Sequence, residues 1–157
     1  MRLRNALTIT MATTLAWVPR GDARPQAPAY TPPRGLEDQP LVVPADNPMA
    51  AGKIALGKQL FFDKRLSKTK QMSCETCHVP EKGWTDGLKL SPKFDGSVNV
   101  RHTPTLYGVA YYPDLYWDGR AKGLEANVLA AWKGQMGGDP DAVAKDLAGV
   151  PGYAAAF

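Results

Sequence analysis

The apolar positions of this chain fall into short helical stripes separated by long irregular stretches. Asp46-Asn47-Pro48 predicts a helix start, a capping side chain followed by proline in the first turn. Ala50, Ile54, Gly57 and Phe61 follow at helical spacing, Leu60 and Phe62 broaden the stripe, and the helix should end near Asp63. Residues 64–72 form a basic connector. A short helix is expected from Met72 to His78, capped by Ser73. Between Val79 and Arg101 the periodicity is lost, and Gly83, Gly87, Pro92 and Gly96 mark a long loop. Arg101 to Pro113 is apolar and aromatic. A second helix places Leu124, Val128, Ala131 or Trp132, and Gln135 on one face. Asp139-Pro140 restarts a last helix with Val143 and Leu147 facing inward, ended by Pro151-Gly152. There is no internal repeat and little strand signal, so the class is mainly α with short helices and long loops.

Composition sharpens this picture. A length of 157 residues suits one domain, and 14 prolines with 15 glycines argue for loops. Six prolines between residues 24 and 45 predict a linker or wrapping arm rather than a packed element. Residues 1–23 resemble an export signal: Arg2 and Arg4, a mildly apolar run from Ala6 to Val18, then Gly21-Asp22-Ala23. The run is too short to span a bilayer as a stable helix, so no membrane insertion is expected after cleavage. The formal charge is +4, of which the leader carries +2, so the basic balance does not point to nucleic acid. The expected division is 1–23 signal, 24–45 linker and 46–157 domain.

The chemistry is concentrated in Cys74-Glu75-Thr76-Cys77-His78, which holds both cysteines and one of the two histidines. C-x-x-C-H is the attachment signature of c-type haem. Two thiols add across the vinyl groups and the adjacent imidazole reaches the iron, so His78 is the metal ligand. Zinc would need four ligands from Cys74, Cys77, His78 and His102, and His78 is too close to Cys77 for ordinary spacing. A thioredoxin-like pair lacks a surrounding βαβ pattern, and a Cys74–Cys77 disulfide would close a tiny loop of little value. Haem attachment also agrees with export to the periplasm. One haem is expected, and the aromatic stretch from Arg101 to Pro113 is expected to pack around it.

Several segments in fixed order resemble the N-terminal haem domain of bacterial di-haem cytochrome c peroxidases. They are Leu56 to Asp63 with Arg65-Leu66-Ser67, Ser73 to His78, Gly83-Trp84-Thr85-Asp86-Gly87, Arg101 to Leu106, Tyr116 to Ala121, and Pro151 to Phe157. The resemblance covers about residues 47–157. It implies a cytochrome c-like domain whose haem meets hydrogen peroxide, with electrons arriving from a small redox protein or a second haem domain. Cys74 and Cys77 correspond to the haem tethers and His78 to the proximal ligand. Trp117 corresponds to a tryptophan between two haems, or else covers the porphyrin edge as a core aromatic. Arg101 and Arg120 are candidates for the propionates, or solvated charges. Gln135 stands where the family's peroxide site has a glutamate, and an amide cannot shuttle a proton as a carboxylate does. Phe94 stands where some members carry a distal histidine. His102 replaces a calcium-holding asparagine, which weakens the case for calcium. Met72, Met136 and His102 could each offer a sixth ligand, but an open position is expected. A peroxide-reducing oxidoreductase, an electron-carrying cytochrome and a gene fragment without function of its own remain the three readings.

Overall fold

The computed structural model describes residues 30–157, and the expected signal segment lies outside them. Four α-helices order the described residues: α1 (Ala51–Phe61), α2 (Leu124–Met136), α3 (Pro140–Ala148) and α4 (Pro151–Ala154). Single 3-10 turns at Lys64–Leu66, Cys74–Thr76, Pro80–Lys82 and Val109–Tyr111 punctuate the loops. Two short antiparallel strands, β1 (Asp114–Leu115) and β2 (Ala121–Lys122), pair Asp114 with Lys122 and Leu115 with Ala121. They clasp the loop Tyr116–Arg120. No helix among the described residues is long and apolar enough to cross a membrane.

The first helix departs from the expected start. Its N-cap is Ala50, without a side-chain cap. Asn47 instead reaches across to Glu125, donating to its Oε1 at 3.0 Å, and accepts from Lys53 at 2.8 Å. Tertiary partners have taken the capping side chain. The apolar stripe also rotates. Ile54 is 46% exposed, while Leu56, Leu60 and Phe61 are the half-buried positions. Phe61 explains the rotation: its ring packs edge-on against Trp84 at 5.9 Å and lies 6.4 Å from the His78 ring.

The expected short helix at the haem motif is a single 3-10 turn, Cys74–Thr76, and Ser73 does precede it as N-cap. The Ser73 amide donates to Thr76 Oγ1 at 2.9 Å. The start of α3 agrees with expectation: Asp139 Oδ1 accepts from the Asp141 and Ala142 amides at 3.0 and 3.1 Å, ahead of Pro140. Val143 is half-buried and Leu147 buried. Pro151-Gly152, by contrast, does not end α3. Gly149 caps that helix, and Pro151 opens α4, since a missing N–H costs nothing in a first turn.

Two clusters hold the body together. Met72, Cys77 and Met136 are buried against Leu66, Cys74, Phe94 and Trp132. Trp132 Nε1 donates to the Leu66 carbonyl at 2.7 Å, and the Lys68 amide donates to the Met136 carbonyl at 2.9 Å. The second cluster centres on Tyr153, which is fully buried and donates to Asp63 Oδ2 at 2.7 Å. Asp63 is also gripped by Arg65, whose Nη2 lies 2.7 Å away. The arm before α1 is tied to the body by Tyr30 and Tyr111, whose hydroxyls are 2.7 Å apart, and by the Val42 amide on the Ala110 carbonyl.

Candidate functional site

His78 follows the Cys74–Thr76 turn, and its imidazole is fixed by one bond. Nδ1 lies 3.0 Å from the Trp84 carbonyl oxygen. A carbonyl only accepts, so Nδ1 carries the proton and Nε2 keeps its lone pair for a metal. The carbonyl is aimed by a backbone that side chains rarely adopt: Trp84 has φ 62, following Gly83 at φ 68. Burial pushes the His78 imidazole below its ordinary value, against the Trp84 carbonyl and the Asp86 charge, which push it up. It is therefore neutral, as a ligand must be.

His78 lines a cavity of about 330 Å³. Its apolar walls include Leu106, Val109 and Tyr112 from the aromatic stretch, and Leu115 from β1. Helix α2 supplies Asn127, Ala131 and Gln135, spaced four apart on one face. This corrects the expected face by one position, because Val128 is 53% exposed. The mouth carries Arg101, His102, Trp117 and Arg120. Thus His78, Gln135, Trp117, Arg101 and Arg120, far apart in sequence, share one cavity.

Cys74 and Cys77 do not line this cavity; Cys77 is buried in the methionine cluster, Cys74 packs against it, and the two are unpaired. Burial pushes both thiols up; the Asp86 charge adds to this at Cys77, and the Thr103 hydroxyl opposes it. Both cysteines are unpaired, the redox state that thioether formation requires. Of the three possible sixth ligands, Met72 and Met136 are buried in that cluster and absent from the cavity wall. His102 does line the cavity, but its Nδ1 lies 3.1 Å from the Thr103 carbonyl and its ring lies 4.9 Å from the Trp117 ring.

The loop between β1 and β2 builds the rim. Asp118 accepts from Arg120 Nη1 at 2.8 Å and from Arg101 Nη1 at 3.0 Å. Hydrogen bonds from Arg120, and then from Arg101, hold the Asp118 carboxyl at about 2. The Arg120 guanidinium also lies 3.7 Å from the Tyr116 ring centroid. Both arginines are thereby parked at the mouth with donors to spare. Trp117 is 59% exposed on the cavity wall, and its Nε1 donates to the His102 carbonyl at 3.4 Å.

Trp84 and Asn127 were not singled out from the sequence as site residues. The five-residue run from Gly83 to Gly87 marks a turn, but which carbonyl meets His78 depends on the fold. Asn127 carries a local signal, its spacing of eight residues from Gln135.

Donor chemistry suits a c-type haem: two reduced thiols, a neutral imidazole with a free Nε2, and apolar walls. The described residues thus form a mainly helical domain with a donor set of the kind a c-type haem takes. Residues 51–157 match the family model of di-haem cytochrome c peroxidase, and the chain belongs to that family.

The chain is 40% identical over 157 residues to cytochrome-c peroxidase IdrP1 of Denitromonas iodatirespirans, covering 99% of this chain and 40% of that protein. It is 39% identical over 138 residues to methylamine utilization protein MauG of Methylorubrum extorquens, covering 87% of this chain and 39% of that one. The crystal structure of a MauG-like protein associated with microbial copper homeostasis superposes with a TM-score of 0.72 at 29% identity, over 90% of this chain and 39% of that chain. The chain therefore spans about two fifths of the length of the curated relatives it matches.

Proposed function

We propose that this chain is the peroxide-facing haem c domain of a periplasmic peroxidase-type oxidoreductase, fed by a small redox protein or by a separate haem domain. The observation that carries the reading is the shared cavity: His78, with Nε2 free, lines the same space as Gln135 and Trp117. Cys74 and Cys77 would hold one haem covalently and His78 would ligate its iron. When bound, the haem supplies a site for hydrogen peroxide and an exchangeable electron. Gln135 offers an amide that orients peroxide by hydrogen bonding but takes up no proton. Arg101 and Arg120 would hold the haem carboxylates, and Asp118 pairs with both arginines at the cavity. Trp117, exposed at the rim, is the contact through which a donor passes electrons.

The test is an optical spectrum of the haem-loaded chain followed by peroxide-dependent oxidation of a reduced cytochrome. High-spin ferric haem with turnover supports the reading. A fully low-spin methionine-ligated spectrum without peroxide reaction would make the chain an electron carrier, against which the burial of Met136 away from the cavity already argues.

A further inference from the structure

The turn after the haem motif holds a charge for which the proposed function has no use. Asp86 is 5% exposed, and its Oδ2 has no hydrogen-bond partner among the described residues. Its Oδ1 accepts from the Leu88 amide at 2.9 Å, which orients the carboxylate within the turn. A buried oxygen without a partner is costly and is kept where something else requires it.

The surrounding turn is rigid. The Val79 amide donates to the Thr85 carbonyl at 3.2 Å, the Trp84 amide to the Val79 carbonyl at 2.9 Å, and Lys82 Nζ to the Asp86 carbonyl at 3.0 Å. This same turn presents the Trp84 carbonyl to His78. Asp86 follows that carbonyl by two residues in the same hydrogen-bonded turn, so its buried carboxylate belongs to the segment that fixes the His78 imidazole. Burial dominates at both neighbours, raising the Cys77 thiol and lowering the His78 imidazole, and the Asp86 charge adds to the first shift and opposes the second.

We propose that Asp86 sets the reduction potential of the iron that His78 would hold, keeping it low and the iron ferric. Reduction removes one positive charge from the site, and a fixed negative charge nearby opposes that loss. Burial strengthens the effect, because little solvent screens it. Asp86 is a positioning residue in this role, touching neither peroxide nor iron. The inference rests on the haem reading above.

A spectroelectrochemical titration of the haem-loaded chain tests it, with the electron supplied by the electrode. Asp86→Asn removes the charge and keeps an acceptor for the Leu88 amide. At a fixed poise its ferric-to-ferrous ratio should fall about tenfold, an upward shift of about 59 mV for a one-electron couple. Asp86→Glu should stay near the parent. An unmoved ratio in Asp86→Asn with a parent-like Soret spectrum overturns the inference. If that variant takes up no haem, Asp86→Ser is read in the same way. Failure of both to load makes Asp86 a folding residue and also overturns it. The readout needs no peroxide: a parent that binds haem but ignores peroxide refutes the proposed function alone, and an unmoved potential refutes this inference alone.

Discussion

His78 donates its Nδ1–H to the carbonyl of Trp84 at 3.0 Å, and Trp84 reaches that position only by adopting φ 62. A strained turn thus settles the tautomer of the imidazole and leaves Nε2 as its single free lone pair. The cost of the left-handed backbone, of order 1 kcal/mol, is offset by the packing of Trp84 on Phe61.

Replacing the imidazole tests its assigned role. In His78→Ala the haem should remain covalently attached through Cys74 and Cys77, visible as haem stain on a denaturing gel. The Soret band of the folded protein should change, and peroxide turnover should fall by roughly 100-fold or more. Parent-like turnover in this variant would remove His78 from the mechanism.

Gln135 lines the cavity at the end of α2, where the Phe94 amide donates to its carbonyl at 2.9 Å and anchors the turn. Gln135→Glu changes the side chain from an orienting amide to a group that can move a proton. The bimolecular rate with peroxide should rise by about 100-fold at neutral pH, measured by stopped flow. An unchanged rate would mean that proton transfer there is not limiting.

Tyr153 and Asp63 give a pH-dependent contribution to stability. Hydrogen bonds from Arg65, and then from Tyr153, hold the Asp63 carboxyl at about 2, below the ordinary 3.8. The contribution is fully present above pH 4 and is lost as the pH falls towards 2. Burial and Asp63 push the Tyr153 hydroxyl up to about 12 from 10, so its share is present below pH 10 and lost as the pH rises through 12. Tyr153→Phe should lower stability by about 1–2 kcal/mol at neutral pH. The difference from the parent should shrink towards pH 2 in denaturant melts.

Gly137 caps α2 at φ 63, and an added Cβ would meet the Phe94 ring at 2.9 Å and Lys68 Cβ at 3.0 Å. Gly137→Ala should therefore cost about 1–3 kcal/mol, from the left-handed backbone and the crowding together. The loss is readable as a lower Tm of the folded chain. Gly134→Ala, where a Cβ meets nothing within 4 Å, should be neutral or slightly stabilising by comparison.

Local chemistry needs no fold to be legible. The C-x-x-C-H spacing puts two thiols and an imidazole within one turn, and Asp139-Pro140 caps α3 from within its own four residues. Those features depend on neighbours in sequence, so the sequence alone determined them. The face of α2 that meets the cavity did not follow from its apolar residues, because Asn127 and Gln135 turn inward while Val128 faces out. The start of α1 moved because Asn47 found Glu125, 78 residues away. Convergence of Arg101, Trp117, Arg120 and Gln135 on His78 was likewise decided only by tertiary structure. So was the unpartnered oxygen of Asp86. Contacts between distant segments and the burial of a polar atom are properties of packing, and packing is set by the whole chain at once.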